Sequence, residues 1–216
     1  MAKIMADDLQ GWGQGSANYP IDIVFCIDVT GSMHDCIENA KKMTVNFKNE
    51  FLDAMKEAGK DCTGAIRTKV VAFRDEKCGE KKEVSPFFTM PDQEDEFKAF
   101  VDGLKEAGGG DEPESAYEAL IEAFNSEWVK EGAKRRWVTV MLTDASAHTE
   151  RLADLVDAWN ALEHNFKRLV VFAPDHPSWA DFVSQATNSV HLHSKAGAGL
   201  EEADKKAILA ALAQSV

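Results

Sequence analysis

The sequence predicts an α/β domain built on one doubly wound, mainly parallel sheet of six strands with helices on both faces. Strand-length apolar runs alternate with amphipathic segments of helix length from Pro20 onward, and that alternation implies right-handed crossovers between parallel strands. The runs Ile21 to Ile27 and Val138 to Leu142 are nearly all apolar and rich in branched residues, as expected of strands covered on both faces. A chain of 216 residues fits one such domain, and no internal repeat argues for a solenoid.

Residues 1–18 hold Gly11, Gly13, Gly15, Ser16 and Asn18 around Trp12, which reads as a flexible leader and leaves 19–216 as the folded domain. After the first strand, Ile37, Ala40, Met43, Phe47, Phe51 and Met55 recur at helical spacing, so a long amphipathic helix should close near Gly59. Ala65 to Phe73 reads as a second strand and Val84 to Phe88 as a short edge strand, preceded by the charged turn Glu80-Lys81-Lys82-Glu83. Phe97, Phe100, Val101 and Leu104 predict a helix over 94–104, and the glycines from 108 to 110 break the chain. A helix is expected over 112–129 with Pro113 near its first position. Then follow a strand over 137–142, a helix over 152–166, a strand over 169–172, a helix over 179–186 and a strand over 190–192. In the last helix Leu200, Ala203, Ala207, Ile208, Ala211 and Leu212 should line one face.

Composition excludes several functions. Acidic residues number 37 against 24 basic, for a formal charge of -13, a balance that repels nucleic acid backbones and anionic membranes. The basic run Lys134-Arg135-Arg136 precedes an apolar strand and reads as a solvated strand entry. The first ten residues include Asp7 and Asp8 and lack a signal-peptide core, and no later stretch is long enough to span a membrane, so a cytoplasmic location is expected. Cys26, Cys36, Cys62 and Cys78 contain no C-x-x-C pair and read as reduced structural residues, with a Cys62–Cys78 disulfide left open.

Three segments carry the chemistry. The first strand ends in Asp28-Val29-Thr30-Gly31-Ser32, with oxygen side chains at alternate positions. In open α/β sheets ligands bind beyond the carboxyl ends of the strands. A carboxylate with two hydroxyls favours magnesium, calcium or manganese over softer metals. The same residues also suit a helix start, with Ser32 as cap and Asp35 three residues on. The second segment is Gly108-Gly109-Gly110-Asp111-Glu112-Pro113-Glu114-Ser115. Its glycines permit close approach of the backbone, while its acids equally suit a helix dipole. The third is the apolar strand ending in Thr143-Asp144, which occupies the same topological place as Asp28.

Together these segments resemble the von Willebrand factor A domain family and its metal-ion-dependent adhesion site. The resemblance implies a sheet of order 3-2-1-4-5-6 with one antiparallel edge strand. It implies that Thr30 and Ser32 ligate a divalent cation, most naturally Mg2+ with Ca2+ or Mn2+ as alternatives, while Asp28 and Asp144 hold it directly or through water. Many members place a loop threonine where this chain has Gly110-Asp111; that ligand role passes to Asp111, with Ser115 the nearest hydroxyl. The segments Phe73-Arg74-Asp75-Glu76, Gly-Gly-Gly-Asp-x-Pro-Glu and Thr143-Asp144-Ala145 through His148 look most like the intracellular branch found beside atypical alpha-kinases and in bacterial stress proteins. In that family the open coordination position accepts a carboxylate, so the implied partner is a protein presenting an Asp or Glu. Asp75 and His148 are candidates for the rim of the site, and Asp75 equally for a surface turn. His191 and His193 alternate on a short strand and are expected to be solvated.

The competing class is a magnesium-dependent phosphatase or phosphoryl-transfer enzyme using Asp28 as nucleophile. Such an enzyme needs a general acid two residues later, where this chain has Thr30, and its loss costs roughly a hundredfold or more in rate. No Gly-x-Ser-x-Gly elbow and no phosphate-binding loop with a lysine is present, so a non-enzymatic binding module is the expectation. On this reading Asp28 serves a surface site, and Asp28→Ala should abolish metal binding while leaving the fold intact, as chelator and metal titrations of thermal unfolding would show.

Overall fold

Strand β1 (Ile21–Asp28) has every residue buried, because it runs through the middle of the sheet with parallel neighbours on both sides. The computed structural model describes residues 20–35, 37–57, 64–109, 112–194 and 202–215; the predicted leader over 1–18, Asp111, Cys36 and Cys62 lie outside them. In chain order the elements are β1, α1 (Ile37–Glu57), β2 (Ile66–Phe73), β3 (Glu83–Val84), β4 (Phe88–Met90), α2 (Glu94–Gly103), α3 (Ala116–Phe124), β5 (Arg136–Leu142), α4 (Leu152–Ala161), β6 (Lys167–Pro174), α5 (Pro177–Gln185), β7 (Ser189–Ser194) and α6 (Glu202–Ser215). The sheet order is β3-β2-β1-β5-β6-β7, with β4 also paired to β2. All pairings are parallel except those of β3 and β4 with β2.

Alternation along the strands divides the core into two layers. Ile21, Ile23, Phe25 and Ile27 of β1 and Val138, Val140 and Leu142 of β5 face one way and pack with residues of α1, α2 and α6. Val24, Cys26, Trp137 and Met141 face the other way, against α3, α4 and α5. Aromatic contacts lock each layer. Phe47 of α1 meets Phe25 edge-on at 5.0 Å and stacks on Phe51 at 5.5 Å, and Tyr117 of α3 meets Trp179 of α5 at 5.9 Å, geometries that the ring quadrupoles favour.

The six-strand topology holds, with one change at its edge: the single predicted edge strand is two short ones. Between them Ser85 replaces regular pairing, donating its N–H to the carbonyl of Val70 at 2.9 Å and accepting the Val70 N–H on its Oγ at 2.9 Å. Pro86 follows with no N–H to offer, so the ladder cannot continue and resumes at Phe88. The helix expected from 112 begins only at Ala116. Glu114 instead pairs with Ala147, its N–H reaching the Ser146 carbonyl at 2.9 Å and its carbonyl accepting the His148 N–H at 3.0 Å. Helix α4 stops at Ala161 rather than 166. In α6 it is Leu209, not Ala207, that joins Ile208 in the core.

One charged feature differs from expectation. Arg135 is packed rather than solvated, its guanidinium 3.7 Å over the Phe166 ring and bonded to Glu163 at 2.8 Å. Asp22, near the start of β1, is buried in a two-pronged ion pair with Arg67 at 2.8 and 2.6 Å and also accepts the Val129 N–H at 2.6 Å. The register aligns Asp28 with Phe73 and Ile27 with Leu142, so the loops after β1, β2 and β5 open on one edge of the sheet.

Phe47→Ala should lower stability by about 3 to 5 kcal/mol through lost burial and the cavity left behind. Urea denaturation would show it as a lower midpoint at an unchanged slope.

Candidate metal centre

The site grows from Asp28, the last residue of β1, which is fully buried. Its Oδ1 accepts the Thr30 N–H at 3.0 Å and the Thr30 hydroxyl at 2.6 Å, and its Oδ2 accepts the Thr143 hydroxyl at 2.6 Å. Thr30 Oγ1 lies 3.0 Å from Ser32 Oγ, and Ser32 Oγ donates to Asp144 Oδ1 at 3.0 Å. A chain of oxygens therefore runs from Thr143 through Asp28, Thr30 and Ser32, which is exposed, to the half-buried Asp144. The structure thus brings Asp28, Thr30, Ser32 and Asp144 together. The expectation that Asp28 belongs to the surface is corrected: it is interior, and the chain meets solvent at Ser32 and, in part, at Asp144. Asp28→Ala would leave two buried threonine hydroxyls without their acceptor.

The glycine-rich loop closes one side. Ala107 N donates to the Val29 carbonyl at 3.0 Å and Gly31 N to the Gly108 carbonyl at 3.0 Å, stitching the loop to the segment that carries Thr30. Arg74 holds it from behind, with Nε on the Ala107 carbonyl at 3.1 Å and Nη2 on that of Lys105 at 2.7 Å. Gly109 has φ of +75°, and a Cβ there would stand 2.8 Å from Thr30 Cβ and 3.1 Å from Glu114 Oε1. Only glycine allows this approach. The Gly109 N–H is held by both carboxylate oxygens of Glu80, at 3.1 and 2.9 Å.

A second network borders the first. Asp75 is buried rather than a surface turn residue; it accepts from Lys77 N at 3.0 Å, Cys78 Sγ at 3.1 Å, Ser115 Oγ at 3.1 Å and His148 Nε2 at 3.1 Å. His148 therefore joins the rim through Asp75. Ser115 spends its hydroxyl on Asp75 and accepts the Glu76 N–H at 2.9 Å, which makes it a loop anchor. Cys78 keeps a free thiol; the other half of the disulfide left open from sequence, Cys62, lies outside the described residues. His191 and His193 sit on β7 with ring centroids 4.4 Å apart; His191 is half-buried and bonded to the Ala173 carbonyl, so it is less solvated than expected.

Charge accumulates here. Burial pushes the Asp28 carboxyl up to about 6 against the hydroxyls of Thr143 and Thr30, which favour its ionised form, and Asp144 adds repulsion. Glu114, 3 % exposed, is pushed up to about 8 by burial and then by the charges of Asp28, Asp75, Glu80 and Asp144. Burial also raises Asp144, opposed by Ser32. At Asp75 burial is outweighed by the donors around it, and its carboxyl stays low. Glu114, Glu80 and Thr143 are the residues that sequence reasoning left without a role at the site. Thr143 was signalled by its place beside Asp144 at a strand end. Glu80 had no signal, because its turn reads equally well as an edge guard.

The donor set fits a hard cation. Hydroxyls of Thr30 and Ser32 and carboxylates of Asp28 and Asp144 converge, and mutual repulsion among the acids is what a bound cation relieves. Among the described residues no three His, Cys, Asp or Glu side chains are arranged to hold a metal by themselves, so a site here depends on the hydroxyls. Thr30 and Ser32 would hold the ion, with Asp28 and Asp144 behind them.

A doubly wound sheet with oxygen donors on the rim after its central strands defines a class of open α/β binding domains, and sequence comparison supplies the family. Residues 22–196 match the family profile of the von Willebrand factor A domain, and the protein belongs to that family. No curated protein matches the sequence. Among solved structures, the conserved hypothetical protein BatB from Bacteroides thetaiotaomicron is similar at a TM-score of 0.59 and 12% identity, over 90% of this chain and 98% of that one. Proximal thread matrix protein 1 of the mussel byssus gives 0.57 and 14%, over 92% of this chain and 48% of its own. A von Willebrand factor type A protein from Catenulispora acidiphila gives 0.54 and 16%, over 89% and 42%. The chain thus spans under half of the latter two, and at these identities the likeness is one of fold.

Free glutamate titrates near 4.5 and folded Glu114 near 8, so between these values the native protein keeps a proton that the unfolded chain has released. Stability of the metal-free protein should therefore fall as pH rises through that window and level beyond it. Asp28 contributes with the same sign between 3.8 and about 6. Urea unfolding in chelator across this range checks the slope, and a stability that climbs from neutral to mildly alkaline pH would contradict it. Gly109→Ala should cost about 1 to 3 kcal/mol, from its left-handed backbone and its clash with Thr30, measured by the same method.

Proposed function

We propose that this protein is a divalent-cation-dependent interaction module that binds a partner protein through an Asp or Glu of that partner. Domains of this family are generally protein-interaction modules. The observation that carries the finer reading is Ser32: its exposed hydroxyl joins Thr30 at 3.0 Å to Asp144 at 3.0 Å, at the edge of an otherwise buried carboxylate network. When bound, a cation such as Mg2+, Ca2+ or Mn2+ would supply an open coordination position attractive to an anionic group. Asp28 and Thr143 keep the Thr30 loop at a fixed height above β1, and Gly109 lets the loop close without displacing it. A strongly acidic chain can then recognise an acidic motif that its own charge would otherwise repel.

The phosphoryl-transfer alternative is weaker. Asp28 is fully buried with both carboxylate oxygens engaged by threonine hydroxyls, so neither oxygen faces an approach path for a phosphate. We further place the protein in the cytoplasm of a bacterium or an associated phage, on its resemblance to the intracellular branch of the family, and treat 19–216 as its single domain. No described helix is long and apolar enough to cross a membrane.

Thermal unfolding with chelator, Mg2+, Ca2+ and Mn2+ in turn tests the reading. An ion at a hundred times its dissociation constant should add about 2.7 kcal/mol to the wild type and nothing to Ser32→Ala. Absence of a shift with every ion would remove the cation from the proposal. Partner capture should follow the same ion and be lost in chelator.

A further inference from the structure

Six acids, Asp28, Asp75, Glu80, Glu112, Glu114 and Asp144, stand on the rim after β1, β2 and β5. Glu80 spends its oxygens on the N–H groups of Gly109 and Asp75. Glu112 Oε2 accepts the Ser146 N–H at 3.2 Å and its hydroxyl at 3.0 Å. Asp28 and Asp75 are filled by the donors already described, and Asp144 holds Ser32 at the half-exposed end. Glu114 differs. It is 3 % exposed, and its Oε2 is buried with no hydrogen-bond partner among the described residues. An orphaned carboxylate oxygen in the interior is costly. It is tolerated where a ligand completes it.

The position of Glu114 says which ligand. A Cβ built on Gly109 would meet Thr30 Cβ at 2.8 Å and Glu114 Oε1 at 3.1 Å, so the carboxyl group and the Thr30 side chain both stand close to that one point. The backbone of Glu114 is pinned on both sides by its pairing with residues 146–148, which fixes where the side chain departs. Resting on the cation site proposed above, we infer that Glu114 supplies the direct loop ligand of that site, in the role that the resemblance assigned to Asp111. The donors around the ion are then the hydroxyls of Thr30 and Ser32 and one carboxylate, with Asp28 and Asp144 held behind them.

Three variants of the whole chain decide the matter: Glu114→Gln, Glu114→Ala and Ser32→Ala. Mg2+ is titrated by calorimetry, and Eu3+ luminescence lifetimes in H2O and D2O count the waters on the bound ion. Glu114→Gln should stay folded in chelator, since the isosteric amide keeps the packing, yet bind Mg2+ about tenfold more weakly or worse. Eu3+ in Glu114→Ala should carry one more water than in the wild type. Weaker Mg2+ binding at an unchanged water count would overturn the inference by making Glu114 a positioning residue. Wild-type affinity in Glu114→Gln alongside lost binding in Ser32→Ala would overturn it while leaving the site in place. A wild type that binds neither ion would remove the site and the inference together.

Discussion

Burying a carboxylate at the end of the central strand obliges its neighbours to supply donors, and the rim of this domain is organised around that demand. Asp28 cannot be hydrated, so the chain turns at once to offer the Thr30 amide and hydroxyl, and β5 offers Thr143 from the adjacent strand. Those bonds tie the loop after β1 to the end of β5. Once they form, Ser32 and Asp144 are neighbours across 112 residues of sequence. The oxygens that would face a cation are thus held by the same bonds that satisfy the buried acid.

The second constraint is electrostatic. Repulsion among several acids within one rim would splay the loops if nothing opposed it. Backbone amides oppose it at Glu80 and Asp75, and a proton does so at Glu114 under mildly acidic conditions. Glycine is what lets Gly109 present its amide to Glu80 while passing within contact of Thr30 and Glu114. Arg74, reaching the carbonyls of Ala107 and Lys105, adds a fixed positive charge behind the loop. The loop is therefore a scaffold for carboxylates as much as a connection.

Likeness to BatB and the other solved structures at identities of 12 to 16% reflects what the fold requires rather than what the site does. A central parallel strand covered on both faces needs only apolar residues of suitable volume, and many sequences meet that condition. The rim is stricter, since each buried polar atom needs a partner at a set distance.

The order of elements, the two-sided burial of β1 and β5 and the cluster of Asp28, Thr30, Ser32 and Asp144 at the strand ends were legible in the sequence, because hydrophobic periodicity and strand-end chemistry are local properties. Tertiary structure decided the rest. Ser85 and Pro86 split the edge strand by redirecting single hydrogen bonds at Val70. Residues 112–115 became part of the rim instead of a helix start because Glu114 found backbone partners beyond β5. Whether an acid in the glycine-rich loop caps a helix, anchors a turn or faces an ion depends on which distant amides reach it first, and no local pattern encodes that. Sequence alone therefore determined the architecture and which oxygen side chains gather at the strand ends, while only the packed loops decided that Glu80 is satisfied, that Asp75 binds His148 and that Glu114 keeps one buried oxygen with no partner among the described residues.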